Sequence, residues 1–258
     1  MSIYQHFRPE EKEFIDQALN WIGQARNQYA PKLTDFLDPR AQQILRTLLG
    51  NDEEISIYMF GVSMDAERKR AILCPAYFIP QKEDFQVSLF ELIYPKKFVS
   101  IDHRQVLGTL MSLGLKREKF GDIIISGDSI QFVAATEIED YLVANLEKIG
   151  KASISLKKRN LGEIIETDEQ WDEQTITVSS TRIDAMISSV TNISRQKAQA
   201  LIASGKVKLN FKQTDSSSDE CLEGDILSVR GFGRCKILSI DGKTKKDKWK
   251  VTVGRMKS

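Results

Sequence analysis

The apolar positions of the 258-residue chain change period several times, and each change predicts an element. Phe14, Ile15, Ala18, Trp21, Ile22 and Ala25 recur at three- and four-residue spacing, the stripe of one helix face. Pro9 lies just before or at the first turn, Glu10, Glu11 and Glu13 sit where the helix dipole is positive, and Pro31 stops the helix. A second helix is predicted from Asp38 as N-cap and Pro39 at its first position to Gly50 past its end. "EISIYMFG" and "RAILCPAYFIP" then have strand character.

A more regular rhythm follows. Phe85, Val87, Leu89 and Glu91 alternate with Ser88, Phe90 and Leu92, the period of a strand. "DHRQVLGTLMSLGL" predicts a helix capped by Asp102. "FGDIIIS" and "SIQFVAAT" flank Gly127-Asp128 as a hairpin, "EIEDYLVANLEKIG" is a helix closed by Gly150, and "ASISLKK" is a last strand. The order βαββαβ is the ferredoxin-like split arrangement, which RNA-binding modules share with enzymes and regulatory domains. Residues 161–180 are acidic with no basic residue and are expected to be a connector, with a short strand over Thr175 to Val178.

In the last third, Ile183, Met186, Ile187 and Val190 share one helix face. A second short helix starts at Ser194 as N-cap, ends at Gly205 and buries Ala198, Leu201 and Ile202. "KVKLN" switches to period two, with Val207 and Leu209 on one side and Lys206, Lys208 and Asn210 on the other. The expectation is an α+β chain of four pieces: an N-terminal α/β region (1–82), a ferredoxin-like middle (83–160), the connector (161–180) and a small C-terminal domain (181–258).

Charge changes the picture. Residues 181–258 hold 16 Lys and Arg against 8 Asp and Glu, a net of +8, while the remainder holds 21 against 28, a net of −7. The overall +1 is the sum of an acidic body and a basic end, which points to a polyanionic partner for that end or to a charged solvated surface. Arg195 and Lys197 sit in the first turn of a helix, where a cation opposes the dipole and a bound phosphate would relieve the conflict.

Cys74, Cys221 and Cys235 are isolated, so neither a disulfide framework nor a zinc site is expected. No window resembles a membrane span or a signal peptide, and a cytoplasmic location is expected. His6 and His103 have no catalytic motif around them, and no GxSxG, HExxH or P-loop occurs. No catalysis, cofactor or metal is expected.

Arg182-Ile183-Asp184, Ser194-Arg195 with Ala198, Leu201-Ile202, Gly205 with Val207 and Asn210, and Glu223-Gly224-Asp225 before a strand together resemble the S-four domain, a small RNA-binding module. With an α/β start and a ferredoxin-like middle, and with "RGFGRCKI" as a strand-turn-strand, the chain resembles the YlmH family. That resemblance implies a cytoplasmic bacterial RNA-binding protein encoded among cell-division genes. Related stand-alone S-four proteins bind large ribosomal subunits blocked by peptidyl-tRNA. The implied partners are ribosomal or transfer RNA and the large subunit, with the acidic two-thirds offered to proteins, the rival being a cell-division scaffold. S-four domains also accompany enzymes, but the motifs of pseudouridine synthases, tyrosyl-tRNA synthetases and RNA methyltransferases are missing or incomplete here.

The residues expected to contact RNA are Arg182, Arg195, Lys197, Lys206, Lys208, Asn210, Lys212, Arg230, Phe232, Arg234 and Lys236. Each has a plainer alternative. Arg182 could pair with Asp184 or the acidic connector, and Arg195 and Lys197 could be a solvated helix end. Lys206 and Lys208 could be edge-strand lysines. Phe232, between Gly231 and Gly233, could stack on a base or pack in the core. Asp184 is expected to cap its own helix with Thr181. The family usually has Gly after Asn210; Phe211 stands there, so a different local turn is expected. Asp241-Gly242 is expected to begin the last hairpin, whose lysines make a second phosphate site or a solvated tip.

Overall fold

The structure, a computed structural model, describes residues 7, 9–63, 65–166, 171–244 and 247–256. The chain divides into two compact units, Met1–Asp168 and Glu169–Ser258.

The first unit opens with α1 (Lys12–Gln28), which buries Ile15, Ala18, Ile22 and Ala25 and ends at Tyr29 in the left-handed region. β1 (Lys32–Leu37) follows, a strand that the sequence pattern did not predict. α2 (Pro39–Leu49) has the expected cap, the Asp38 carboxylate accepting from the Ala41 N–H. β2 (Ile55–Phe60) and β3 (Lys69–Pro75) complete an antiparallel sheet in the order β1-β3-β2.

The middle of the unit runs β4 (Val87–Ile93), α3 (His103–Ser112), β5 (Phe120–Ser126), β6 (Ser129–Ala135), α4 (Glu139–Asn145), then the two-residue strands β7 (Lys148–Ile149) and β8 (Ala152–Ser153), and β9 (Ser155–Arg159). The sheet order β5-β6-β4-β9, antiparallel throughout, is that of a split βαββαβ arrangement. α3 has a full capping box between Asp102 and Gln105. α4 is shorter than expected. Gly150 does not close it but turns the chain between β7 and β8, because Leu146, Ile149 and Ala152 are drawn into the core under the sheet.

That core lies on one sheet face, where Phe90 and Phe132 stack at 5.4 Å beneath the helices. The other face is also covered. Leu89, Ile124, Val133 and Ala135 pack with Phe36 of β1, Val62, and Leu161, Ile164 and Ile165 of the segment beyond β9. Gln131, only 3% exposed, ties that segment down, donating to the Glu163 carbonyl at 3.0 Å and accepting from the Ile165 N–H at 2.9 Å. A Cβ on Gly121 would stand 2.9 Å from Val133 and 3.0 Å from Phe36, so the close approach of β1 to this face needs a glycine there. Buried Arg70 links the two sheets' surroundings, donating to the carbonyls of Thr34 and Gln86.

The second unit begins with β10 (Trp171–Val178). This corrects the connector reading, for the strand pairs along its whole length with β15 (Trp249–Met256). The expected short strand over Thr175 to Val178 is its second half, burying Ile176 and Val178, and the acidic stretch before it belongs to the same strand. α5 (Ile183–Thr191) and α6 (Arg195–Ala203) follow, then β11 (Val207–Leu209), β12 (Lys212–Gln213), β13 (Ile226–Val229) and β14 (Gly233–Lys243). The sheet order is β10-β15-β14-β13-β11-β12. Ile183, Met186, Ile187, Ala198 and Ile202 of the helices pack on Val207, Leu227, Val229, Ile237, Val251 and Val253 of one sheet face. Each of these side chains larger than alanine contributes roughly 1.5–3 kcal/mol by leaving water. Asp241-Gly242 is also corrected: it sits within β14 at a register shift, and the chain reverses at Thr244, whose N–H donates to the Lys248 carbonyl at 2.7 Å.

Candidate nucleic-acid interface

Strand alternation decides where the cations of the second unit stand. Val207, Leu227, Val229, Cys235 and Ile237 are buried under the helices, so their neighbours Lys208, Ser228, Arg234 and Lys236 project from the opposite face. Lys208 is paired with Ser228 and Ser228 with Arg234, a row across three strands, and Lys236 lies opposite Ile226 in the next row. Lys208 is exposed, and Lys206 and Arg230, both exposed, adjoin through the bond from the Arg230 N–H to the Lys206 carbonyl. Within this unit, α5 and α6 pack on the other face. At the far edge β10 adds one carboxylate, Glu173, in register with Gly254.

Lys212 is different. It pairs with Leu209, whose side chain packs on the core, so Lys212 stands on the helix side of the sheet edge. Phe232 also turns inward: it is half-buried and packed against the core cluster beside Ile187, Val190 and Cys235. Core packing is thus what the structure gives it.

The first turn of α6 holds the largest difference from expectation. Ser194 caps the helix as expected, accepting from the Lys197 N–H at 3.2 Å, and Lys197 is exposed. Arg195 is not simply poised for a ligand. Its Nε and Nη2 donate to the two carboxylate oxygens of Asp184 at 2.9 and 3.0 Å, a bidentate pair. Gln199 adds a third bond at 2.8 Å, and the Arg182 Nε lies 3.4 Å away. Asp184 is fully buried and, as expected, accepts the first-turn Ala185 N–H at 2.9 Å, but its partner is Arg195 rather than Thr181; Arg182 is the N-cap and uses no side-chain cap. Burial alone would raise the Asp184 pKa. The hydrogen bonds from Arg195 and Gln199, with the charges of Arg195 and Arg182, outweigh that and hold it at about 2. The cation that opposes the α6 dipole is therefore partnered by a carboxylate brought from α5. The spacing of Arg182, Asp184 and Arg195 was the available signal, but which cation the acid takes is a tertiary fact.

Asn210 is structural too. Its amide donates to Asp225 at 2.7 Å and its carbonyl accepts from the Ile226 N–H at 2.9 Å, fixing the turn to β13. The turn between β11 and β12 is corrected as well. Leu209 pairs with Lys212 across only Asn210 and Phe211, whose φ angles are 49° and 67°. Positive φ at both central residues is the type I′ hairpin that Asn-Gly normally makes. Phe211 has taken the glycine conformation rather than changed the turn. The left-handed region costs a bulky residue roughly 1–2 kcal/mol. The ring is half-buried and lies 5.7 Å from the Arg234 guanidinium carbon, a contact worth about 0.5–1 kcal/mol at an exposed site. Sequence reasoning named Arg234 but missed its aromatic partner.

No group of three or more metal-ligating side chains occurs among the described residues, and none of their helices is long and apolar enough to cross a membrane.

A split βαββαβ domain followed by a small unit with cations along one sheet face is an arrangement that modular RNA-binding proteins share with other classes. Residues 80–163 match the family model described as "Putative RNA-binding domain in YlmH", and residues 10–78 match the YlmH N-terminal model. A curated relative from Bacillus subtilis (strain 168), named "Ribosome-associated protein quality control protein P2", is 48% identical over 255 residues, 99% of each chain. The solved structure of "Cell division protein ylmH from Streptococcus pneumoniae" is similar with a TM-score of 0.55 and 34% identity, covering 64% of this chain and 100% of that one. The chain belongs to the YlmH family.

Proposed function

We propose that the protein is a non-catalytic, cytoplasmic adaptor that grips structured ribosomal or transfer RNA and acts on the large ribosomal subunit in quality control or rescue. The C-terminal unit is the grip, an S-four-type module starting near residue 181 with β10 added at its edge. Lys206, Lys208, Arg230, Arg234 and Lys236 meet RNA phosphates on the sheet face, and Lys197 meets one at the helix turn. The observation that carries this reading is the uncovered sheet face on which Lys208, Arg234 and Lys236 stand together within a segment of net charge +8. Double-helical RNA is recognised mostly through shape, phosphates and 2′-hydroxyls, so such a face gives binding with modest sequence preference. The name of the Bacillus subtilis relative supports the ribosomal setting.

A division-linked protein scaffold is the second reading, favoured by the name of the Streptococcus pneumoniae structure and by the exposed Tyr29, Tyr77 and Ile79 of the first unit. Sucrose-gradient sedimentation of the full-length protein from lysate separates the two. Co-migration with large subunits that ribonuclease abolishes is the expected result. Migration with a ribonuclease-resistant protein complex, away from subunits, would replace the RNA reading with the scaffold.

A further inference from the structure

Phe211 occupies a backbone conformation that a glycine adopts at no steric cost, on the outward face of the C-terminal sheet. Such strain persists where the surroundings hold it, and it concentrates at sites of function. Burial does not account for it here: Phe211 belongs neither to the core cluster of the unit nor to the partly buried residues packed against that cluster. Its ring contact is with Arg234, 5.7 Å from the ring centre. Arg234 is itself one place along the row from Ser228 and two from Lys208, with Lys236 two residues further along the same strand and face. An aromatic ring paired with a planar guanidinium, with lysines on either side, is suited to a flat, electron-rich ring attached to a phosphate chain.

We propose that Phe211 and Arg234 form a stacking site for one unpaired RNA base, with Lys208 and Lys236 meeting the adjoining phosphates. This rests on the RNA-binding reading above and adds a preference to it: among otherwise equal RNAs, the protein favours one with an unpaired nucleotide beside a duplex. Phe232, the aromatic first suggested by sequence, cannot serve, because it is packed against the core. The turn conformation holds the Phe211 ring on the same face as the cations.

The test uses the full-length protein and two fluorescent RNAs, a perfectly paired duplex and the same duplex carrying a four-nucleotide single-stranded overhang. Phe211→Gly should raise the melting temperature of the C-terminal unit by relieving the strain. It should also weaken binding of the overhang RNA by about fivefold to a hundredfold, the range for losing one stacked base, while the duplex is bound as before. Phe211→Leu, which keeps the bulk but not the ring, should lose the overhang preference as well. The stacking site is overturned if Phe211→Gly keeps the overhang preference, if Phe211→Leu keeps it, or if Phe211→Gly melts earlier and so reveals a packing role. In all these outcomes duplex binding persists and the adaptor reading stands. Failure of the wild-type protein to bind either RNA, and to sediment with ribosomal subunits, would remove both together.

Discussion

Two antiparallel sheets in this molecule each have one face under helices, and they differ in what happens to the other face. In the middle of the first unit that face is apolar and closed. Phe36, Val62, Leu161, Ile164 and Ile165 cover Leu89, Ile124 and Val133, and Gln131 is spent on the backbone of the covering segment. In the C-terminal unit the face is open, and alternation puts Lys208, Arg234 and Lys236 on it. The strand order of the middle sheet is one that RNA-binding modules use to stack bases on exposed aromatics, yet Phe90 and Phe132 point to its helices. Topology therefore does not tell which sheet would read RNA, and the proposed reading rests instead on what lies over each face. Any RNA contact by the matched 80–163 domain must use its helices, loops or edges.

The strongest way to break the comparison is to uncover the closed face. Phe36 is 1% exposed between the two layers, and Phe36→Ala should destabilise the first unit by about 3–5 kcal/mol. Denaturant unfolding measures this. If the variant instead unfolds normally and gains RNA affinity, the closed face is a masked RNA platform and the contrast between the sheets is wrong.

Much of this layout was legible in the sequence, and the failures have physical causes. The capped helices were visible because Asp38-Pro39, Asp102 and Ser194 satisfy orphan N–H groups locally, and the βαββαβ order followed from clear changes of period. β1 was missed because its alternation is irregular: the register shifts between Leu33 and Phe36, and the adjacent Phe36 and Leu37 are both buried. Of β10 only the second half, Thr175 to Val178, was legible; Trp171 to Gln174 were read as connector because acidic residues interrupt the strand pattern there. Of the expected RNA contacts, Lys208, Arg234 and Lys236 could be placed together from alternation alone once the buried face was known. Arg195 and Asn210 could not be, since their carboxylate partners are 11 and 15 residues away along the chain and meet them only in the fold.

Arg195 gives the next largest effect. Phosphate binding alone would let Arg195→Ala leave the fold intact. Here it strips a buried carboxylate of its bidentate partner. Complete loss of a fully buried pair costs about 3–5 kcal/mol; because the Arg195 side chain is 45% exposed and Gln199 and the Ala185 N–H still serve Asp184, roughly 2 kcal/mol is expected. Lys197→Ala, on an exposed position of the same turn, should stay within about 0.5 kcal/mol. Equal stability of the two variants would return Arg195 to the status of a free ligand-binding cation.

The same carboxylate sets a pH dependence. Asp184 titrates at about 2 in the folded protein, below its ordinary 3.8, so its contribution is complete above pH 3.8 and is lost as the pH falls through about 2. The amount is on the order of 2 kcal/mol. Stability of the C-terminal unit, followed by urea midpoints between pH 5 and 2, should fall steeply in that window, and Asp184→Asn should remove that part of the slope. An unchanged slope in the variant would mean that other carboxylates govern the acid limb.

The smallest effect on the fold sharpens the contrast most, because it separates the two sides of one sheet. Lys208 and Lys236 stand on the open face, Lys212 on the helix side of the edge. None of the three has an inward packing role, so alanine at each should move stability by no more than about 0.5 kcal/mol. RNA affinity should respond unequally. If about five phosphates are neutralised in the complex, the logarithm of the binding constant falls with the logarithm of salt at a slope near −3.5 to −4.5. Replacing both Lys208 and Lys236 should bring that slope about 2 units closer to zero, uniformly across RNA sequences. Lys212→Ala should leave it nearly unchanged. If Lys212 carries the larger share instead, RNA approaches from the helix side, and the open face is a solvated surface whose cations serve solubility alone.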